Sequence, residues 1–323
     1  MRRFILSAAV LIVVGATPGV CSPSDFPAKA ISLVVPFPAG GRTDVVCRIV
    51  ASGLSKELKK PVVVINRPGA GGVLGAREVA DAAPDGYTLG CFSSASVSAQ
   101  YTVPTPISLS EFKLIAVVNT DPAAVAVQYS APYKSLKDLI EAARSNPGKL
   151  RLGTIPGASA QIFAAGLLLG GGVNMVEVPF KGDADGAIAL AGNHIDAHVA
   201  VPVSYQALVA AKKVRILAVA SNQRSSFYGM LPTFKENGID LSISAFHGIF
   251  APNRTPPIAL SRVAEAIEAA MQSTEVRDTM NKVGAGWANI NGEKADAFLQ
   301  QQDVTYKNII TQLKLDEAHQ VQK

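Results

Sequence analysis

Residues 31–48 read ISLVVPFPAGGRTDVVCR. The opening segment, Ile31–Val35, is apolar and rich in β-branched side chains, which predicts a buried strand. The Pro-Phe-Pro-Ala-Gly-Gly segment that follows predicts a turn, because prolines lack an N–H group and glycines permit positive φ. From Asp44 onward apolar residues recur at helical spacing, with Thr43 or Asp44 as the N-cap. The strand therefore leads through a turn into a helix N-terminus, where peptide N–H groups can bind an anion.

Strand and helix patterns alternate along the rest of the chain, which is typical of parallel α/β sheets. We predict further strands at residues 62–65, 87–92, 114–119, 123–128, 150–153, 175–178, 195–200, 214–220, 243–250 and 286–290. Further helices are predicted at residues 73–82, 136–145, 160–170, 183–191, 204–211, 233–236, 256–273, 274–283 and 292–315. Ser93-Ser94-Ala95-Ser96 follows the third strand at its carboxyl end, where ligands of open α/β sheets bind.

The composition is that of a folded protein of about two domains. The chain has 323 residues, of which 48% are hydrophobic and 17% charged, so a substantial core can form. The formal net charge of +5 is a mild excess that comes without a basic run and with few aromatic residues. This pattern argues against nucleic-acid binding and is compatible with a small anionic ligand.

The N-terminus has the features of a secretory signal. Met1-Arg2-Arg3 precedes an apolar run, residues 4–14, that is too short to span a bilayer. A buried N-terminal helix is the alternative. Cleavage is expected after Ala16 or nearer Ser22, so residues 1–22 are assigned to a signal peptide and the mature protein to the periplasm.

Two cysteines, Cys47 and Cys91, lie well beyond the signal region. The first belongs to the first predicted helix and the second to the third predicted strand, so both flank the same end of a sheet. A disulfide between them is one alternative in an oxidising compartment, and two free thiols are the other.

Five segments, in a fixed order, carry a resemblance to a known family. They read VVPFPAGGRTDVVCR at residues 34–48, VVINRPGAGGVLG at 63–75, PDGYTL at 84–89, VPFKG at 178–182 and GIFAPNRTPP at 248–257. Together they resemble the substrate-binding proteins of tripartite tricarboxylate transporters, the Bug receptors. The resemblance extends over residues 27–313, nearly the whole chain after the signal.

The resemblance implies an α/β fold of the type II periplasmic-binding-protein class, with a ligand cleft between two lobes that are each a mainly parallel sheet flanked by helices. We expect lobe 1 to comprise residues 23–121 and 243–290, and lobe 2 to comprise residues 122–242. The chain is expected to cross between the lobes near residues 120–124 and 234–244. The C-terminal helix, at residues 291–323, is expected to pack on one lobe or on both. The resemblance further implies a monomeric receptor without a cofactor. It binds a di- or tricarboxylate, an acidic amino acid or an aromatic carboxylate or amide, and delivers it to membrane permease subunits.

The predicted ligand-binding residues combine the first turn, the third strand end and the family segments of the second lobe. They are Phe37, Ala39, Gly40, Gly41, Arg42, Thr43, Asp44, Ser93, Ser94, Thr154, Gly157, Ala158, Ser159, Phe180, Lys181, Gly182 and Asp183. Main-chain amides of residues 37–43 would hold one carboxylate, and the loops of the second lobe would meet the other end of the ligand.

Three of these residues depart from the family pattern. Arg42 is unusual at its position, and its guanidinium either holds a second carboxylate bidentately or is solvated. Phe180 replaces a tyrosine and so lacks a hydroxyl donor. Asp183, if it faces the cleft, would repel a dicarboxylate, which favours a less charged ligand.

The sequence gives weaker support to dinucleotide binding and to metal binding. The glycines of residues 69–75 do not have the dinucleotide-binding spacing, and no acidic residue follows at the required distance. His194 and His198 lie on a predicted strand without a third metal ligand. Two alternatives to a transport receptor stay open: a sensor ectodomain, and an α/β enzyme that would place an acid–base pair within hydrogen-bond reach in the cleft.

Overall fold

The computed structural model describes residues 26–102, 107–155 and 159–312. Its strands are β1 (Ile31–Val35), β2 (Val62–Asn66), β3 (Thr88–Ser93), β4 (Phe112–Pro122), β5 (Ala124–Gln128), β6 (Arg151–Thr154), β7 (Val176–Pro179), β8 (Ala197–Ala200), β9 (Val214–Val219), β10 (Ser244–Pro252) and β11 (Trp287–Asn291). Its α-helices are α1 (Arg42–Leu58), α2 (Val73–Ala80), α3 (Ser94–Thr102), α4 (Leu136–Ser145), α5 (Ser159–Gly171), α6 (Asp183–Ala191), α7 (Gln206–Ala210), α8 (Pro257–Gln272), α9 (Thr274–Lys282) and α10 (Glu293–Gln312).

The strands form two sheets flanked by helices, which confirms the predicted two-lobed α/β fold. The first sheet has the order β11-β4-β10-β3-β1-β2, and the second has the order β7-β6-β8-β5-β9. Strands joined through a helix, such as β1 with β2 and β6 with β7, are parallel. Strands that enter from the opposite sheet, β10 and β5, pair antiparallel with both neighbours. The sheets are therefore more mixed than the alternating pattern predicted.

The opening strand is covered by helices on both faces. Ile31, Leu33 and Val35 pack in one hydrophobic cluster with α1, whereas Val34 packs in another cluster on the opposite face. A strand buried on both faces has no reason to alternate polar with apolar residues, which explains its continuous apolar run. The turn after β1 and the start of α1 are consequently anchored on a rigid support.

A disulfide joins Cys47 of α1 to Cys91 of β3. Both sulfurs are buried beneath the helix. The sequence had left open whether the two cysteines form a disulfide or stay free thiols, and the structure has the disulfide. It links the first helix to the central part of the first sheet.

The chain crosses between the sheets at two adjacent places. β4 continues into β5 with only Ala123 between them. The Ala123 N–H donates to the Ile243 carbonyl at 3.0 Å, the Ala220 N–H donates to the Ala123 carbonyl at 2.7 Å, and the Ile243 N–H donates to the Ala220 carbonyl at 3.0 Å. The first crossing is short, whereas residues 220–243 separate β9 from β10. The numbered lobe boundaries stay a prediction.

The structure corrects two expectations about the helices and resolves a third point that had been left open. α1 begins at Arg42 with Gly41 as its N-cap, rather than with Thr43 or Asp44. Helix α3 starts directly after β3, where no helix was predicted. α10 contacts α3 beside the first sheet and α5 beside the second, so it bridges the two halves of the molecule.

Some predictions fall on residues that the structure does not describe. They are the signal peptide at residues 1–22, Gly157 and Ala158, and the end of the C-terminal helix beyond residue 312. Within residues 26–102, 107–155 and 159–312, no helix combines the length and the apolar character needed to cross a membrane.

Candidate functional site

A cavity of about 470 Å³ lies between the two sheets. The first half of the molecule contributes Phe37, Arg42, Thr43, Ser93, Ser94, Ala95, Ala245, Phe246 and His247 to its wall. The second half contributes Ile155, Ser159, Ala160, Phe163, Gly182, Asp183, Ala200 and Val201. A separate cavity of about 410 Å³, lined mainly by apolar side chains such as Val203, Phe227 and Leu231, contains none of the predicted ligand-binding residues.

Four helix N-termini converge on the larger cavity. α1 begins at Arg42, α3 at Ser94, α5 at Ser159 and α6 at Asp183, and each of these first residues lines the wall. No side chain caps α1 or α6 among the hydrogen bonds of the described residues. Because the first N–H groups of a helix have no partner inside the helix and carry its positive dipole end, this arrangement favours a bound anion.

Asp44 holds the first turn in place from behind the cavity. Its Oδ2 accepts hydrogen bonds from the Gly40 amide at 2.9 Å and from Arg48 Nε at 2.9 Å, and its Oδ1 accepts one from Asn66 Nδ2 at 2.8 Å. Burial opposes its ionisation, but the hydrogen bonds from Arg48, Gly40 and Asn66 outweigh this and lower the pKa of Asp44 to about 2. Asp44 is thus a permanent anion that shapes the turn and occupies the Gly40 amide.

The Arg42 guanidinium forms an internal ion pair, an arrangement that neither sequence alternative included. Its Nη2 lies 2.5 Å from Asp121 Oδ2 and donates to the Gly284 carbonyl at 3.2 Å. Asp121 is 1% exposed and also accepts hydrogen bonds from the Gly286 amide at 2.8 Å and the Tyr228 hydroxyl at 3.1 Å. The positive charge of Arg42 in the cavity wall is therefore largely neutralised by a buried carboxylate.

A hydrogen-bonded chain of Thr43, His247 and Asn119 lies beside this ion pair. His247 Nδ1 is 2.6 Å from Asn119 Oδ1, and His247 Nε2 is 3.2 Å from Thr43 Oγ1. The amide nitrogen of Asn119 donates to Asp121 and to the Gly286 carbonyl, so its oxygen must face the imidazole as an acceptor. The proton therefore sits on Nδ1, and Nε2 accepts the hydroxyl proton of Thr43.

The protein keeps the His247 imidazole neutral. Burial lowers the pKa of His247 to about 4; the charge of Asp121 opposes this shift and the charge of Arg42 adds to it. With its hydroxyl proton directed at His247, Thr43 presents oxygen lone pairs to the cavity, and only its peptide N–H is left to donate to a ligand.

Asp183 is the one ionisable residue in the second half of the described cavity wall. Its Oδ2 accepts a hydrogen bond from Ser204 Oγ at 3.0 Å. Burial raises the pKa of Asp183, while the hydrogen bond from Ser204 and the charge of Arg42 oppose the rise. This wall is therefore either negative or neutral, and it contains no cationic side chain.

Hydroxyl groups from three parts of the chain meet where the two halves touch. Ser94 Oγ and Ser159 Oγ lie 3.4 Å apart across the boundary. The Tyr306 hydroxyl of α10 donates to the Ser244 carbonyl at 3.2 Å. Burial raises the pKa of Tyr306 to about 12, while hydrogen bonds with Ser94 and Ser159 oppose the rise. α10 thus reaches the edge of the cavity that the starts of α3 and α5 enclose.

The cavity wall contains eight of the predicted residues: Phe37, Arg42, Thr43, Ser93, Ser94, Ser159, Gly182 and Asp183. The exposed turn residues Ala39, Gly40 and Gly41 and the buried Asp44 are not in the wall. In the second half, Thr154 is only 2% exposed, Phe180 packs edge-on against His198 and Lys181 is exposed, and none of the three lines the cavity. They lie outside the wall of this cavity because a motif marks a segment and not the direction of each side chain. Ligand binding by these seven residues stays a prediction.

Several wall residues were missed because no local pattern marks them. Ala245, Phe246 and His247 reach the cavity because β10 inserts between β3 and β4. Ala200 ends β8 and Val201 follows it, and β8 lies between β6 and β5 in the second sheet. A histidine within an otherwise apolar strand was the one available signal.

The described residues contain no group of three or more His, Cys, Asp or Glu side chains placed to hold a metal ion. His194 lies in the loop before β8 and is exposed, whereas His198 lies within β8 and is fully buried. The Nδ1 atom of His198 is 3.0 Å from the Tyr205 hydroxyl. The two histidines therefore do not share a face of one strand.

The amino-acid sequence of the chain matches a known family. The family described as "Tripartite tricarboxylate transporter family receptor" matches residues 46–315. The chain belongs to this family. Among curated proteins, the receptor is 31% identical to a "UPF0065 protein in gbd 5'region" of Cupriavidus necator, over 98% of this chain and 97% of that protein. It is also 31% identical to BugT of Bordetella pertussis, over 86% of this chain and 88% of that protein.

Solved structures of the family have the same architecture as the receptor. A TctC solute-binding protein from Polaromonas without ligand is 31% identical, has a TM-score of 0.84, and covers 89% of this chain and 99% of its own. MatC of Rhodopseudomonas palustris with bound malate is 25% identical, with a TM-score of 0.66 over 88% of this chain and 100% of its own. Another R. palustris protein, with adipate, is 25% identical, with a TM-score of 0.70 over 91% of this chain and 99% of its own.

Proposed function

We propose that this receptor works in the periplasm, binds a small organic carboxylate in the cavity between its two sheets, and delivers it to a tripartite tricarboxylate-type membrane permease. The observation that carries the proposal is the convergence of four helix N-termini on one cavity. Peptide N–H groups at such positions stabilise an anion without a cationic side chain. The malate and adipate in two related structures support a carboxylate ligand.

In this proposal, the ligand carboxylate binds to peptide N–H groups rather than to the Arg42 guanidinium. The first-turn amides of α1 at Arg42 and Thr43 and those at the start of α3 are the donors. The Arg42 side chain, already paired with Asp121, keeps this part of the wall from being negative. Phe37, Phe163 and Phe246 offer apolar contacts to the body of the ligand.

Binding would draw the two halves together by bending at the crossings beside Ala123 and Ile243. A ligand that contacts both walls gains its second set of contacts only when the cavity narrows, so it stabilises the closed form.

Titration calorimetry against a panel of carboxylates and their neutral amides tests the proposal. We expect at least one carboxylate to bind with one-to-one stoichiometry and to raise the thermal unfolding midpoint, and its fully amidated analogue to do neither. If no carboxylate in the panel produces heat or a thermal shift, the carboxylate-receptor proposal is wrong.

The chain of Thr43, His247 and Asn119 favours a second candidate, an acyl-transfer enzyme. A hydroxyl bonded to an imidazole that is oriented by a third group is the general pattern of an activated nucleophile. The helix N-terminus at Thr43 could stabilise an oxyanion. The low pKa of His247 argues against the enzyme. A base with a pKa of about 4 is far weaker than one matched to neutral pH, and neutral Asn119 cannot raise the pKa of His247 as a carboxylate would.

Incubation with activated short-chain esters separates the two candidates. The receptor proposal predicts ligand recovered unchanged and no ester hydrolysis above background. Hydrolysis that saturates with substrate and disappears in Thr43→Val would establish the enzyme instead.

A further inference from the structure

We propose that the ligand carries one carboxylate and, at its opposite end, a hydrogen-bond donor that Asp183 accepts, either an ammonium or an amide NH₂ group. The inference rests on the proposed function and specifies the ligand class of the same cavity. It separates this receptor from one that binds a dicarboxylate through both ends.

The charged groups in and beside the cavity wall are unevenly distributed. Arg42 and Asp183 line the cavity, and Asp121 is paired with Arg42. The positive charge of Arg42 is therefore neutralised by Asp121 within the first half of the molecule. The remaining charged group of the described wall is Asp183, so a second ligand carboxylate would find no free cation to approach.

Asp183 is placed to accept a hydrogen bond from the far end of the ligand. It is the first residue of α6, and it lines the cavity on the half opposite to α1 and α3. Among the described residues, its side chain accepts one hydrogen bond, at Oδ2 from Ser204. Oδ1 is thus available to accept from a ligand whose carboxylate lies at α1.

The nearby lysine does not compensate for Asp183. Lys181 is exposed and is not part of the cavity wall. The other residues that the second half contributes are apolar, glycine or serine, and Phe180 in the family segment has no hydroxyl to offer. The N-terminus of α6 carries only about half a positive charge. A ligand carboxylate at this end would therefore still be repelled by the full negative charge of Asp183, whereas an ammonium or amide would find an acceptor.

Matched ligands of equal length test the inference on the purified receptor. One set is adipate, adipamate and ω-aminohexanoate, and a shorter set is succinate, succinamate and γ-aminobutanoate. Calorimetry should give at least tenfold tighter binding for the amide or amino member than for the dicarboxylate in the set whose length fits. In Asp183→Asn this preference should fall below threefold, because the asparagine can donate to a carboxylate and has lost its charge.

Asp185→Asn is the matched control, since Asp185 is an exposed acidic residue on the same helix and outside the cavity wall. It should keep the tenfold preference. A dicarboxylate that binds the parent receptor as tightly as its amide or amino partner overturns the inference and leaves the carboxylate-receptor proposal intact. An unchanged preference in Asp183→Asn overturns it as well. Failure of every acid in both sets and in the wider panel overturns both proposals together.

Discussion

At the scale of single residues, two buried imidazoles stand out. His198 is fully buried and His247 is 4% exposed. Burial lowers the pKa of each to about 4, so both are neutral at physiological pH. His198 supports the second sheet through its bond with Tyr205, whereas His247 orients Thr43 in the cavity wall. Neither role could be read from the sequence, where both histidines appear only as isolated polar residues in strands.

These histidines predict a loss of stability on acidification. Unfolded imidazoles bind protons below their ordinary pKa near 6.5, whereas the folded ones resist until about 4. The free energy of unfolding should therefore be unaffected by them above pH 6.5 and should decrease as the pH falls from 6.5 to 4. The decrease should be at most roughly 3 kcal/mol for each histidine.

Urea unfolding at a series of pH values measures this slope. His198→Gln should make the decrease smaller, and His194→Gln, at an exposed position, should leave it unchanged. Equal pH slopes for His198→Gln and the parent protein would contradict the assignment of a buried neutral His198.

At the scale of elements, the turn between β1 and α1 was the most predictable part of the site. The prolines, the glycines and the helical spacing after them all act locally, so the strand, turn and helix could be placed from the sequence. The role of Asp44 could not. An aspartate at a helix start predicts an N-cap, yet this one is the third residue of α1 and bonds back to the Gly40 amide.

We expect Asp44→Asn to lower the free energy of unfolding by about 1–3 kcal/mol, because one of its oxygens becomes an NH₂ group that faces a donor. Ligand affinity should fall as well, since the turn that positions the amides of Arg42 and Thr43 loses its support. Urea unfolding and calorimetry measure the two effects.

Asp278→Asn, at an exposed position on α9, is the control and should change neither quantity. The role assigned to Asp44 would be refuted by an Asp44→Asn protein with parental stability and parental affinity.

Helix α3 shows why other elements were missed. It begins at Ser94 within a run of small polar residues that predicts a loop by propensity. Its place is set by contacts with β10 and α10, and Asp303 of α10 holds it by accepting hydrogen bonds from Gln100 and Tyr101 at 3.0 and 2.7 Å. Tertiary packing overrides weak local preference in such a segment.

At the scale of the whole molecule, the cavity lies between two sheets that are connected by two crossings and by α10. The hydrogen bonds that join Ala123, Ala220 and Ile243 hold both crossings side by side. α10 contacts α3 on one side and α5 on the other, so any change in the angle between the sheets must also move its contacts.

We expect a saturating ligand to reduce the radius of gyration measured by small-angle X-ray scattering, because the two walls approach each other around it. An acid that gives no binding heat in calorimetry is the control and should leave the scattering curve unchanged. An unchanged curve in the presence of a ligand that saturates the receptor would show that binding does not close the cavity.

The sequence by itself determined the features that depend on neighbouring residues. These are the buried opening strand, its turn, the helix that follows, the alternation of strands and helices, and the ordered motifs that place the chain in its family. The tertiary structure alone decided which side chains share the cavity. Asp121 reaches Arg42, His247 reaches Thr43, and Asp183 faces the opposite wall because strands distant in sequence pair within a sheet and two sheets meet. Local periodicity carries no information about such long-range neighbours, since it fixes the face on which a side chain lies and not the element that lies opposite.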